Sequence, residues 1–221
     1  MNLKKIIAGT ALGISLLMPH VASAQDKQDK QDEKPKISLS LDAMTAPSFE
    51  EKQTFTLQGL YQKGRFSAYG FIDVFGPETN KCYGELHLRE NVTKNSGMHF
   101  ELNKGCGGPA VFRTGYVFDI PLPKSLEKKV YANAKVLPLN ITPGDLLKEM
   151  QIGTYVKADL GKGFYAENWT DYTIPYNSKD YVLTKFTVGK NLTPHIAIQG
   201  QAAYNVNSPG WAGLVGLRFK F

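Results

Sequence analysis

Trp211-Ala-Gly-Leu-Val-Gly-Leu-Arg-Phe-Lys-Phe221 decides the fold. Every second residue, from Trp211 through Gly213, Val215, Leu217 and Phe219 to Phe221, is apolar or glycine, while Arg218 and Lys220 occupy the positions between. A period of two places these sets on opposite faces of an extended strand, and the 3.6-residue repeat of a helix is missing. The rhythm recurs upstream. Ile196, Ile198, Gly200, Ala202 and Tyr204 oppose Ala197, Gln199, Gln201, Ala203 and Asn205. Met150, Ile152, Thr154, Val156, Ala158 and Leu160 oppose Gln151, Tyr155, Lys157 and Asp159. Such strands need an apolar medium on one side and a wetted space on the other.

The segments around these strands say which medium. Met1–Lys5 is a basic head, Ile6–Met18 an apolar run, and Ala22-Ser23-Ala24 a small-residue cleavage site. That is the layout of a secretory signal, and the run is too short for a spanning helix. Cleavage is expected near Ala24. The mature chain has no second long apolar run, which excludes a helical membrane protein. The closing strand resembles those of bacterial outer-membrane barrels, whose insertion machinery recognises a terminal aromatic. By that resemblance Phe219 and Phe221 form the assembly signal, and the barrel assembly machinery is an expected partner.

Gln25–Lys36 (QDKQDKQDEKPK) lacks large apolar groups and is expected to be a disordered periplasmic tail, because it has nothing to bury against its ordering entropy. From Ile37 to Phe221 about twelve alternating runs of barrel-strand length follow. They begin near Ile37, Thr54, Arg65, Cys82, Met98, Val111, Val130, Met150, Phe164, Tyr181, His195 and Trp211. The seventh alternates poorly and contains Pro138, so ten strands are the alternative; eight would discard good segments. The expected fold is all-β: a transmembrane, antiparallel, up-and-down barrel over 37–221. Leu137–Leu147 is expected as its longest loop.

Charge narrows the function classes. The formal charge is +6, or +4 once Lys4 and Lys5 leave with the signal, but the basic residues are scattered among acids. No clustered stripe exists for nucleic acid, which is not an expected partner. Outer-membrane lipid and lipopolysaccharide are. Mean hydropathy is −0.28, a value that alternating strands and soluble proteins share. The two cysteines, Cys82 and Cys106, sit beside two connections on the same side of the sheet and read as a disulfide joining neighbouring strands. His87 and His99 offer no recognisable ligand spacing, so neither a metal nor a cofactor is expected.

The wet faces supply the candidate site. Tyr69, Phe71, Asp73, Tyr83, Glu85, His87, Arg89, Arg113, Lys157, Glu167, Trp169, Lys185 and Arg218 are expected to line a lumen of nearly balanced charge. Such a lumen suits a small, polar, weakly charged solute with a flat face, since a strongly ion-selective pore carries one sign in excess. A filled barrel held together by those same charges is the competing structural reading.

Arg65-Phe-Ser-Ala-Tyr-Gly-Phe-Ile-Asp-Val-Phe-Gly76, Tyr83-Gly-Glu-Leu-His-Leu-Arg89 and Gly210-Trp-Ala-Gly-Leu-Val-Gly216 together resemble the nucleoside-specific channel-forming (Tsx-like) outer-membrane proteins. The resemblance rests on about thirty residues. It implies a twelve-stranded narrow channel in which Tyr69, Phe71, Asp73, Glu85 and Arg89 meet the solute. The alternatives are a non-conducting surface barrel acting through its outer loops and, less favoured, a lipid- or peptide-modifying enzyme. Catalysis would need a nucleophile and base held together, whereas His87, His99 and His195 are dispersed.

Overall fold

The structure is a computed structural model that describes residues 34–45, 53–76, 82–142, 145–146, 149–175, 180–206 and 208–221. The expected signal peptide and the tail through residue 33 lie outside the described residues.

The chain runs through β1 (Lys36–Thr45), β2 (Gln53–Lys63), β3 (Phe66–Phe75), β4 (Cys82–Asn91), β5 (Ser96–Gly105), β6 (Ala110–Asp119) and β7 (Val130–Thr142). A two-residue strand β8 (Asp145–Leu146) precedes β9 (Glu149–Gly161), β10 (Phe164–Pro175), β11 (Tyr181–Asn191), β12 (Ile196–Asn205) and β13 (Ser208–Lys220). Each long strand pairs antiparallel with its neighbour in the chain, and β1 pairs with β13. The twelve long strands therefore close into a barrel. They begin where the alternating runs begin; the largest offset is at the last, Ser208 against Trp211.

Closure leaves each strand one face outside and one inside. Leu39, Phe55, Met98, Leu102, Ile152, Phe186, Ile198 and Leu217 all stand on the outer face and are exposed. In water this much bare apolar surface would drive aggregation; against acyl chains it is the stable arrangement. Tyr61, Phe66, Tyr116, Phe118, Phe164 and Phe219 gather outside near the end that carries Lys36 and Lys220, which we call the terminal end. Phe55, Phe112, Tyr172 and Tyr204 do so toward the far end, giving the two aromatic girdles of a membrane barrel. The belt is interrupted at Asn168, Thr170 and Thr184, which bond to one another, with 2.7 Å between the two threonine hydroxyls.

The stretch Leu137–Leu147 departs from expectation. Leu137–Thr142 completes β7, and Asp145–Leu146 pairs back onto Thr142 and Ile141. Pro138 fits because a bulge houses it. Thr114 pairs with Leu139 and Tyr116 with Val136, so Gly115 alone faces both Leu137 and Pro138. At such a bulge the missing proline N–H leaves no ladder bond unmade. A Cβ on Gly115 would lie 2.0 Å from the Val136 carbonyl oxygen, so only glycine permits this approach. The extra residue also shifts the inward set from Lys135 and Leu137 to Asn140, which is why the sequence rhythm looks broken there.

At the far end Cys82 and Cys106 form a disulfide with Cα atoms 5.1 Å apart. It joins β4 to the residue after β5, beside the backbone bond from Cys106 N–H to the Cys82 carbonyl. The turns at 64–65 and 162–163 fall at the terminal end, and the last residue of β3, the first of β4 and the connection at 106–109 fall at the far end.

Candidate functional site

The inner face is identified by contacts that only a lumen allows. Arg218 on β13 reaches Glu167 on β10 at 3.2 Å, with two strands between them in the ring. The Arg89 guanidinium on β4 comes within 3.4 Å of the Tyr131 hydroxyl on β7. Pairing register then assigns the rest. Tyr69, Phe71 and Asp73 on β3 lie beside His87, Glu85 and Tyr83 on β4. Arg89 neighbours His99 and Arg113 neighbours Glu101. Lys157, Glu167, Trp169 and Lys185 lie on the same inner side of β9, β10 and β11.

Two aromatic walls face the lumen. On the first, ring centroids step from Tyr83 to Phe71 (6.1 Å), from Phe71 to Tyr69 (6.1 Å) and from Tyr69 to His87 (5.7 Å). The second holds Tyr165 and Trp169 on β10, with Tyr155 on β9 and Tyr131 on β7; the last two rings are 6.2 Å apart. Lysine and arginine lie over this wall: Lys135 Nζ is 5.9 Å from the Trp169 ring and Arg218 is 5.7 Å from the Tyr165 ring. In a ring of twelve, β3 and β10 are diametrically placed. Phe71 and Trp169 each stand five residues beyond the first residue of their strand, so the walls oppose one another at a similar height.

Between the walls lies a waist built around Glu101, which is 1% exposed. Its Oε1 accepts from Arg113 Nη1 at 2.9 Å and Asn103 Nδ2 at 2.7 Å, and its Oε2 accepts from Lys135 Nζ at 2.8 Å. Arg113 continues to Glu149 at 2.9 Å, which Asn140 also caps. Lys135 lies 3.4 Å from Asp171. Room for the last pair comes from Gly153: a Cβ there would be 2.3 Å from both Asp171 Oδ1 and Lys135 Cε. A carboxylate this dry persists only because charged donors surround it, since an unpaired buried charge is costly. On one side of the waist, His87 Nε2–H donates to Glu85 at 2.7 Å, Tyr83 donates to the other Glu85 oxygen, and His99 stands beside His87.

Toward the terminal end the interior is wetter. Arg218 holds Asp42 with a two-pronged contact of 2.8 and 3.0 Å and touches Glu167, which also meets Lys157 at 2.9 Å. Arg218, Glu167, Lys157, Tyr165, Asp159 and Lys220 line an open-sided recess of about 320 Å3. Nearby, Arg89 grips Asp119 in the same two-pronged way, at 2.7 and 2.8 Å. Among the described residues, inward carboxylates (Asp42, Asp73, Glu85, Glu101, Asp119, Glu149, Asp159, Glu167, Asp171) and cations (Lys36, Arg89, Arg113, Lys135, Lys157, Lys185, Arg218, Lys220) are nearly matched.

Several of these residues escape a sequence reading. Lys135 is masked by the β7 bulge, although Tyr131, Asn133 and Lys135 do keep a two-residue spacing that would have exposed it. Asp42 lies in the short first run and earns notice only through Arg218. His87, His99 and Glu101 bring three ligating atoms together although the histidines are twelve residues apart, because a hairpin folds β4 onto β5.

No family model matches this sequence, and no curated protein matches it. Among solved structures, the KdgM porin superposes with a TM-score of 0.58 at 8% identity, covering 83% of this chain and 99% of that one. The NanC porin gives 0.58 at 10% identity, covering 84% and 100% respectively. A KdgM porin in complex with disordered oligogalacturonate matches equally well. The fold and its apolar exterior define a twelve-stranded transmembrane β-barrel. The chain is similar to these small porins along almost their whole length, and the likeness is one of architecture.

Proposed function

We propose that this protein is an outer-membrane channel for passive diffusion of small hydrophilic solutes, favouring flat ones such as nucleosides. The observation that carries the reading is the pair of opposed aromatic walls in a lumen of matched charge, inside a barrel whose outside is apolar. A flat ring gains stacking on either wall, while Asp73 and Glu85 offer acceptors to its hydroxyl and amine groups. The Tsx-like stretches around Tyr69, Phe71, Asp73, Glu85 and Arg89 support the same solute class. A polyanion like the oligogalacturonate of the KdgM complex would meet about as many carboxylates as cations in this lumen, which disfavours it here.

In this reading the export signal is cleaved near Ala24, the terminal end faces the periplasm, and the far end meets lipopolysaccharide. Phe219 and Phe221 are the contact for the assembly machinery; Phe221 is exposed and anchored by its N–H to the Leu39 carbonyl at 3.0 Å. Catalysis forms no part of the reading. Liposome swelling tests it: uridine and adenosine should enter faster than sugars of similar mass, and Trp169→Ala should erase that preference. Folded protein that inserts into bilayers yet passes neither ions nor solutes would reject it.

That second outcome is the mark of the other reading, a non-conducting barrel acting through its far-end connections. It is favoured by one observation, the dry Glu101 waist, which spans β5, β6 and β7 and reaches β10 through Lys135.

A further inference from the structure

We infer that His87, His99 and Glu101 form a binding site for a borderline-soft divalent cation of the zinc class in the wall of the lumen. The three candidate donor atoms are His87 Nδ1, His99 Nε2 and Glu101 Oε2. They are separated by 3.3 Å between the nitrogens, 3.4 Å from His87 to Glu101 and 3.7 Å from His99 to Glu101. The circle through those points has a radius of about 2.0 Å, so one ion at its centre sits at the zinc–nitrogen and zinc–carboxylate distance from all three at once. Ordinary packing does not call for this. Two imidazole nitrogens and a carboxylate oxygen need not share one small circle to fill a barrel.

The surroundings agree with the geometry. Glu85 accepts the proton of His87 Nε2 at 2.7 Å, and Tyr83 donates to the other Glu85 oxygen. In a neutral His87 that bond puts the proton on Nε2 and leaves the lone pair on Nδ1, the atom in the triangle, which faces His99 Nε2 at 3.3 Å. A carboxylate behind a histidine is the outer support that metal-bound imidazoles commonly have. His99 and Glu101 are buried, and the barrel wall holds His87 paired with Glu101 and His99 two residues along the same face, so little entropy is lost on binding.

Charge also favours a dication. Glu85, Glu101, Glu149 and Asp171 surround the site, against Arg113 and Lys135, which leaves two negative charges with both imidazoles neutral. Lys135 competes for Glu101 Oε2, but it has somewhere to go. Asp171 Oδ1 lies 3.4 Å from its ammonium and has no hydrogen-bond partner among the described residues. With three protein donors a fourth position is left for water, as in zinc sites that remain accessible, and the His87 side chain is the most exposed of the three at 14%.

The test uses untagged, folded full chain in detergent, stripped with a chelator and titrated with zinc in a calorimeter. We expect saturable uptake of one zinc per barrel, none of magnesium at the same concentrations, and an X-ray absorption shell of nitrogen and oxygen near 2.0–2.1 Å. His87→Gln with His99→Gln should abolish uptake, and Glu85→Gln should weaken it by about tenfold to a hundredfold. The heat-dependent gel shift of a folded barrel confirms that each variant is intact. Absence of saturable zinc uptake by the parent protein would overturn the inference. So would uptake that survives loss of both histidines in a folded variant. Because binding is read by heat and absorption, its failure is distinct from any failure of the barrel to conduct.

Discussion

Two of the ion-pair systems in the barrel's interior are made from the same parts in different surroundings. At the waist, Glu101 is 1% exposed and receives both Arg113 and Lys135. At the mouth, Arg218 joins Asp42 and Glu167 beside an open recess, and the last link in that chain, Lys157, is 52% exposed. Coulomb attraction is strong where water is shut out, but so is the cost of a charge left alone. The waist is therefore held by mutual dependence, and the mouth by contacts that water can replace.

Breaking the waist should show the largest effect. Glu101→Ala leaves Arg113 and Lys135 without their shared carboxylate and should cost about 3–5 kcal/mol, read as a lower urea midpoint for unfolding from detergent. If the variant unfolds at the parent's midpoint, the waist is wetter than its burial implies. Next in size is the far-end clasp. Replacing Cys82 and Cys106 by serine reopens a 24-residue separation, worth about 3.5 kcal/mol in the chain-entropy account, and should lower the melting temperature while leaving the terminal-end recess accessible to the same reagents. Arg218→Ala comes third. Water entering from the recess can solvate Asp42 and Glu167, so we expect about 1.5–3 kcal/mol of destabilisation together with a measurably larger entrance. Smallest is Lys157→Ala, whose exposed pair with Glu167 should contribute about 0.2–1 kcal/mol and fade with added salt. An effect there as large as at Glu101 would remove the distinction between the two regions.

The two regions also differ in how far the sequence discloses them. The strands around Arg218, Glu167 and Lys157 alternate cleanly, so their side chains can be assigned to a face from spacing alone. The waist depends on Lys135, and the bulge at Leu137–Pro138 hides the face it belongs to. That bulge is also why Leu137–Thr142 reads as loop and folds as strand: proline is a breaker in an ordinary ladder, and the sequence does not say that Gly115 waits opposite to receive it. Period-two patterning yields strand number, faces and rough ends because lipid and water enforce it along every strand. Which inward residues meet across the lumen is set by the shear of the closed ring, and no local pattern encodes that. Arg218 and Glu167, which touch over two intervening strands, are the clearest instance.

The seam between β1 and β13 has a bearing on how the molecule is made. Asp42 and Arg218 lie 176 positions apart, yet the cylinder is shut by their contact and by the ladder from Ser40–Lys220 to Thr45–Val215. Every other ladder joins segments that are near neighbours along the chain, and can zip as local hairpins. Shutting the seam must wait until the final stave has emerged and swung round to the first, and such distant encounters are slow. Until then both outer staves present unmet amide and carbonyl groups, an invitation to mispairing that a helper protein could hold in check by lending its own strand.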